Sequence, residues 1–152
     1  MYMESEWRNK LRKLLIRHEG LRLRPYQCTA GRWTVGYGHN LESHGEAIPT
    51  SITIEQAEKY LDQDMASAES QCRSRMPFFG GLSPVRQAVL IDMCFNLGIN
   101  GLLGFKNTLA AVSSGDYARA AKQMLESKWA TQVKTRAVRL ARMMATDEWP
   151  KD

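Results

Sequence analysis

The chain has 152 residues, of which 43% are hydrophobic and 24% charged, with 21 basic against 16 acidic side chains. This length suits one domain, and the apolar content excludes a disordered chain. The net charge of +5 fits an anionic partner such as nucleic acid, a membrane surface or a bacterial wall, but it fits ordinary solubility equally well.

The N-terminal segment Met1–Arg8 lacks the apolar stretch of a signal peptide, and no window approaches the roughly 18 apolar residues of a transmembrane helix. We therefore expect a chain that stays in the cytoplasm unless another agent exports it. Three cysteines, Cys28, Cys72 and Cys94, are widely spaced and predict free thiols. We expect Cys72 and Cys94 to be buried as small apolar residues.

The first predicted element is an amphipathic helix that begins near Trp7 and ends near Glu19, where a glycine follows. A β-hairpin is predicted over residues 21–39, because alternating residues and aromatics flank a turn of small residues. Residues 40–52 are predicted as loop or short irregular strand.

Helix returns at about residue 53, where Thr53 and Gln56 have the spacing of a capping box. A long apolar stripe continues to about residue 72. Residues 77–81 contain proline and glycines, which end this helix.

The next helix begins at Ser83 and Pro84, a capping residue followed by a proline in the first turn. Residues 85–97 are apolar nearly all round, which predicts a buried central helix that Gly98 and Gly101 end. Three shorter helices are predicted at about 105–113, 116–127 and 133–145. The sum is an α+β fold that is mostly helical, with one small sheet near the N-terminus.

A metal site is not expected, because His18, His39 and His44 lack the HExxH spacing and no cysteine cluster supplies thiolates. The sequence also contains no glycine-rich phosphate loop and no GxSxG motif. We therefore predict no metal and no cofactor.

Three side chains near the first helix end and the hairpin could share a site. Glu19 ends the helix, Cys28 lies nine residues on at the turn, and Thr34 lies six further on the return strand. Glycosidic cleavage needs an acid for the leaving oxygen and a second group that delivers or is the nucleophile. A glutamate screened from water suits the first task, because desolvation raises its pKa. From these residues alone, a solvated glutamate and an ordinary strand threonine stay open.

Longer motifs extend this pattern. Around the hairpin they are His18-Glu19-Gly20-Leu21-Arg22-Leu23, then Tyr26, then Gly31-x-x-Thr34-Val35-Gly36-Tyr37-Gly38-His39. Later motifs are Thr53-x-x-Gln56-Ala57-Glu58, Asn96-Leu97-Gly98, Gly104-Phe105-x-Asn107-Thr108-Leu109 and Ser127-Lys128-Trp129. In order and spacing, from about Leu11 to Arg142, the chain resembles the phage-type lysozymes of glycoside hydrolase family 24, the T-even phage lysozyme family.

This resemblance implies a single catalytic domain over residues 1–152 with a lysozyme-like two-lobe fold. A small β lobe (about 20–52) would be joined by a linking helix (about 53–72) to a helical lobe (about 82–148) that includes the N-terminal helix, with a cleft between the lobes. The implied reaction is hydrolysis of the β-1,4 bond between N-acetylmuramic acid and N-acetylglucosamine in peptidoglycan, which lyses the host cell.

The resemblance also implies roles for the three candidate residues. Glu19 falls on the general acid, and Thr34 falls on the threonine that helps to hold the attacking water. Cys28 stands where the family most often has aspartate. One hypothesis makes Cys28 a weak base or polar positioner for water, with inversion; the other makes it a nucleophile, with a thioglycosyl intermediate and retention. We favour inversion, because no cation is evidently dedicated to ionising the thiol.

Other positions carry weaker implications. Arg136 falls on an arginine that pairs with the catalytic glutamate, the alternative being a solvated arginine on a basic helix. His39 and Asp64 match an ion pair that joins the small lobe to the linking helix. Phe95 and Thr108 match substrate-contacting positions of the family. Asn40 and Gln123 occupy further such positions, where the family has other residue types. Phe95 could equally be a core residue.

The predicted C-terminal helix has basic residues along one side, which indicates either a helix that completes the core or a segment that touches anionic membranes.

The expected protein is a monomer that acts on bacterial peptidoglycan, without nucleic acid, and waits in the host cytoplasm until a holin opens the inner membrane. The alternatives are a lytic transglycosylase and a non-enzymatic cationic protein that disrupts walls or membranes. The basic residues along the predicted C-terminal helix are Lys134, Arg136, Arg139 and Arg142.

Overall fold

The computed structural model describes residues 5–43 and 45–151, so His44 lies outside the described residues. It confirms a mostly helical α+β fold with a small antiparallel sheet near the N-terminus. The chain divides into two compact units, an N-terminal unit over Met1–Ser67 and a C-terminal unit over Ala68–Asp152. The predicted division into two lobes, with the first helix in the helical lobe, stays a prediction.

The elements follow one another in the order that the sequence pattern predicts, with two additions, a short 3-10 helix and α6. They are α1 Glu6–Glu19, β1 Arg22–Gln27, β2 Trp33–Gly36, β3 His39–Asn40, α2 Ile54–Arg75, a short 3-10 helix Phe79–Gly81, α3 Pro84–Leu103, α4 Lys106–Ser113, α5 Tyr117–Leu125, α6 Lys128–Val133 and α7 Thr135–Thr146.

In the N-terminal unit, α1 buries three leucines, as its helical period predicts: Leu11, Leu14 and Leu15. The sheet is antiparallel with the order β1-β2-β3. A side-chain link joins α1 to α2, because Arg12 donates to Asp62 at 2.8 Å and to Glu58 at 3.2 Å. The sheet, α1 and the start of α2 belong to one compact unit.

The start of α2 confirms the cap at Thr53, which is one of the two bonds of the predicted capping box. The backbone N–H of Gln56 donates to Thr53 Oγ1 at 3.1 Å, which satisfies one of the amides that a helix start leaves without a partner. The loop before it is tied to the sheet by a bond from Ile52 N to Leu23 O at 2.8 Å. The entry to α2 is thus fixed at both its cap and its preceding loop.

In the C-terminal unit, α3 begins as predicted, with the N–H of Arg86 donating to Ser83 Oγ at 3.3 Å. Gly98 breaks the helix, because its φ of 77° is non-helical. The prediction that Gly101 ends the helix is wrong, since the chain returns to helix after Gly98 and continues to Leu103. Helix α6 was not predicted; its six residues are too few to show a hydrophobic period.

The apolar side of α7 is buried, which favours packing over membrane contact as the role of this side. Cys72 and Cys94 are also buried, which confirms the prediction made for them. Within the described residues, no single helix is long and apolar enough to cross a membrane; α3 and α4, bent by 101°, meet that test only as a pair. The buried residues of α7 are Arg136, Ala137, Leu140, Ala141, Met143 and Met144.

Candidate active site

Cys28 lies at the start of the hairpin turn. Its N–H donates to Arg32 O at 2.9 Å, and Gly31 N donates to Cys28 O at 2.7 Å. Gly31 has a φ of 77°, which is why a three-residue loop can close the hairpin here with a glycine as its last residue. The small residues of the predicted turn therefore hold Cys28 in a fixed position at the start of the turn.

The environment of the Cys28 sulfur favours its ionised form. Burial alone would raise the pKa of Cys28, but hydrogen bonds from the backbone N–H groups of Arg32 and Ala30 and from the Thr34 hydroxyl outweigh it, so the pKa is lowered. These hydrogen-bond donors thus stabilise the thiolate, as a neighbouring cation does at other reactive cysteines. The sequence gives no sign of these donors, because the turn brings them to the sulfur only in the folded chain.

Thr34 is buried on β2 and faces the sulfur. Its hydroxyl carries one proton, which it donates to Arg32 O at 3.0 Å. The same hydroxyl can turn its proton to the sulfur, and that bond is one of those that lower the pKa of Cys28. Ionisation of Cys28 and rotation of the Thr34 hydroxyl are therefore coupled.

Glu19 is the last residue of α1 and is partly exposed. Its carboxylate lies against Gly38, where an added Cβ atom would stand 2.6 Å from Glu19 Oε1. Gly38 has a φ of 74°, so this backbone conformation also favours glycine. Gly38 is therefore a further candidate site residue, and the Gly36-x-Gly38 motif is the signal for it in the sequence.

The three cysteines should differ sharply in reactivity. We expect iodoacetamide to alkylate one thiol quickly in the native protein, because Cys28 is partly exposed with a lowered pKa while the other two are buried. Mass spectrometry after brief labelling should find one adduct on the native protein and three on the unfolded one. Labelled protein should also lose activity. Fast labelling in a Cys28→Ser variant would contradict this assignment.

His39 is the centre of a buried polar cluster in the N-terminal unit. Its Nδ1 lies 2.7 Å from Asp64 Oδ2 and its Nε2 lies 3.0 Å from Glu46 Oε1. The Tyr60 ring stacks on the imidazole, with centroids 3.8 Å apart. The pair of His39 and Asp64 is thus present, and Glu46 is a second carboxylate that the sequence did not reveal. The role of the His39–Asp64 pair in supporting the site stays a prediction.

This cluster predicts a pH-dependent stability. Burial lowers the pKa of His39, but hydrogen bonds and charges from Asp64 and Glu46 outweigh it and raise the pKa above its ordinary value of 6.5. The folded state therefore holds the proton more tightly, and its contribution is complete below pH 6.5 and lost as pH rises through the folded pKa. We expect Asp64→Asn to cost about 1.5–3 kcal/mol at pH 5.5 and clearly less at pH 9, measured by urea unfolding.

Asp62→Asn is the matched control on the same helix. Asp62 pairs with Arg12, whose guanidinium stays charged across this pH range. The loss in the free energy of unfolding caused by Asp62→Asn should therefore be smaller than that of Asp64→Asn and equal at both pH values. An equal cost of Asp64→Asn at pH 5.5 and pH 9 would show that His39 does not titrate in this window.

The remaining predicted substrate residues fall into both units. Asn40 lies in β3, where its Oδ1 accepts from Glu42 N at 3.0 Å and Ser43 N at 3.1 Å, so this oxygen shapes the following turn. Phe95 is partly exposed on α3. Neither observation assigns a substrate contact.

Thr108 and Gln123 line one cavity of about 330 Å³ in the C-terminal unit. One wall is formed by Trp129, whose Nε1 donates to Asn96 Oδ1 at 2.7 Å. Phe105 meets the Trp129 ring edge to face, with centroids 5.9 Å apart. Two of the predicted substrate residues are therefore brought together in a cavity with rigid aromatic walls.

Arg136 is buried on α7, so the alternative of a solvated arginine is wrong. Its Nε donates to Asp92 Oδ1 at 2.9 Å, and Asp92 is fully buried on α3. An arginine is buried here because a carboxylate of opposite charge is buried with it. The predicted pairing of Arg136 with Glu19 stays a prediction.

Comparisons with known proteins give a consistent result. The family model described as phage lysozyme matches residues 16–143. An endolysin of Acyrthosiphon pisum secondary endosymbiont phage 1 is 35% identical over 76% of this chain and 74% of its own length. A probable T4-type lysozyme of Dictyostelium discoideum is 26% identical over 91% of this chain and 95% of its own. The chain also matches 27% of the pre-baseplate central spike protein Gp5 of Enterobacteria phage T4, at 31% identity.

The family model and these relatives define a lysozyme-type glycosidase, and the fold agrees with it. The chain belongs to the phage lysozyme family, and its substrate is bacterial peptidoglycan.

Proposed function

We propose that this chain is a phage muramidase that cleaves the β-1,4 bond between N-acetylmuramic acid and N-acetylglucosamine, with Glu19, Cys28 and Thr34 as its reacting group. One observation carries this assignment: the turn amides of Ala30 and Arg32 and the Thr34 hydroxyl on β2 are within hydrogen-bond reach of the Cys28 sulfur, in the same compact unit as Glu19. Glu19 donates a proton to the leaving oxygen as the glycosidic bond breaks.

In the favoured mechanism, the Cys28 thiolate accepts a proton from a water that Thr34 helps to hold, and this water attacks the anomeric carbon. The product then has the α configuration, because the attack inverts the centre. Hydrogen bonds from the turn amides lower the pKa of Cys28, so the deprotonated form that can accept a proton is more available.

The same observation favours a second candidate mechanism. A stabilised thiolate is also a good nucleophile, and its sulfur can bond directly to the anomeric carbon while Glu19 protonates the leaving oxygen. Water then breaks the carbon–sulfur bond, with Glu19 now accepting a proton and the thiolate leaving. Two inversions give retention, so the product has the β configuration.

Product analysis tests the function and the mechanism together. Purified peptidoglycan is digested, and mass spectrometry asks whether the new muramic acid ends are reducing sugars, as hydrolysis requires. Anhydro ends, which lack one water, would identify a lytic transglycosylase instead. Proton NMR in the first minutes then distinguishes an α product, which excludes direct attack by Cys28, from a β product, which excludes the favoured mechanism.

We also infer that the protein acts as a monomer. Because the chain is similar to a phage endolysin, we further infer that a holin releases it to the wall. Expression in a bacterial host with and without a holin tests this: lysis without a holin contradicts it. Contact of α7 with anionic membranes has less support, because the apolar side of this helix is used in packing. Leakage from anionic vesicles caused by the intact protein would support membrane contact by α7.

A further inference from the structure

Tyr26 lies on the same face of the hairpin as Cys28 and Thr34. It stands directly opposite Thr34 in the β1–β2 register, and opposed residues of antiparallel strands project to one face. Cys28 follows two residues later, so the alternation along an extended chain returns its side chain to that face. The phenol, the thiol and the hydroxyl are therefore neighbours on one surface.

The Tyr26 ring is held in place from outside the site. The guanidinium carbon of Arg22 lies 4.5 Å from the ring centroid, and Tyr26 itself is half-buried. Among the described residues, no hydrogen bond occupies its hydroxyl. A fixed ring with an unused donor is suited to a ligand.

The charges around Tyr26 keep it protonated. Burial raises the pKa of Tyr26, and the negative charges of Glu19 and Cys28 raise it further against the opposing effect of Arg22. The two groups of the proposed reaction thus both act on this hydroxyl. Because it stays neutral, it can donate a hydrogen bond throughout the range in which the site works.

We propose that Tyr26 is a further substrate-binding residue, whose hydroxyl donates to a hydroxyl or acetamido oxygen of the sugar beside Glu19 and Cys28. The inference rests on the proposed function, since it needs a glycan at this face. The bond orients the sugar against the two reacting groups, and orientation of this kind contributes to the rate as well as to binding.

The test is Tyr26→Phe, which removes the donor and keeps the ring stacked on Arg22. We expect kcat/KM on soluble peptidoglycan strands to fall roughly three- to tenfold, the effect of losing one hydrogen bond to an uncharged group. Tyr117→Phe is the matched control, because Tyr117 is also stacked on an arginine, with Arg86 at 3.6 Å, in the C-terminal unit. It should leave kcat/KM unchanged.

The rate of Cys28 alkylation against pH separates binding from structural damage. An unchanged profile in Tyr26→Phe, together with reduced kcat/KM, supports the proposal. A changed profile would show that the hairpin itself is disturbed, and an unchanged kcat/KM would show that the hydroxyl is unused; either result overturns it. Failure of the proposed function looks different, since the wild-type protein would then release no reducing ends from peptidoglycan.

Discussion

Replacing Glu19 by glutamine should reduce peptidoglycan hydrolysis by roughly 10²–10⁴-fold, the usual contribution of a general acid. Glutamine has nearly the same shape but cannot deliver a proton to the leaving oxygen. Because Glu19 is the last, partly exposed residue of α1, the fold should tolerate the change. The measurement is kcat/KM on purified peptidoglycan, with thermal unfolding to confirm that the variant is folded.

The matched control for this variant is Glu58→Gln. Glu58 lies on α2 in the same unit and accepts a hydrogen bond from Arg12 at 3.2 Å, so the same chemical change is made outside the site. Its activity should stay near that of the wild type. Full lysis of purified walls by Glu19→Gln would instead support a non-enzymatic cationic protein, because charge-driven disruption needs no proton donor.

The sequence predicted those features that depend on local pattern. The end of α1 at Glu19, the hairpin around Cys28 and the cap at Thr53 each follow from residues within one turn or one strand pair. The candidate site residues of the N-terminal unit were proposed by the same route, because the turn that carries the thiol is formed by adjacent small residues. Family resemblance then gave these residues their roles.

Contacts between residues distant in the sequence were not predicted from the residue pattern; the pair of His39 and Asp64 was expected only from the family resemblance. Arg136 reads as one more cation on a basic helix, and only its contact with Asp92, 44 residues away, explains why it is buried. Glu46 likewise gives no sign of its contact with His39. A charged residue's partner cannot be read from its neighbours in the sequence, so burial of charge is where sequence reasoning fails here.

The two glycines of the Gly-x-Gly motif show the same limit. Both have positive φ, at 68° for Gly36 and 74° for Gly38, and the sequence does not distinguish them. In the structure a Cβ at Gly36 would meet the Ala57 Cβ at 3.3 Å, whereas one at Gly38 would meet the carboxylate of Glu19. One glycine therefore serves the packing of α2 and the other makes room for the proposed general acid.

Gly38→Ala should consequently lose activity out of proportion to stability. The new methyl group would stand 2.6 Å from Glu19 Oε1, a distance that real Cβ atoms do not tolerate, so the carboxylate must move. A displaced acid forfeits much of its contribution, and we expect kcat/KM to fall by roughly 10²-fold or more. The alanine at positive φ should also cost about 1–2 kcal/mol in the free energy of unfolding.

Gly115→Ala separates these two effects. Gly115 has a φ of 80°, and an added Cβ there meets nothing within 4 Å, so this variant carries the backbone strain without the contact. Both variants should unfold at similar urea concentrations, while only Gly38→Ala loses hydrolysis. Activity near that of the wild type in both variants would mean that Glu19 can take another rotamer and still reach the leaving oxygen. A deep loss in both would mean that activity follows global stability, and the room that Gly38 leaves would then have no special role.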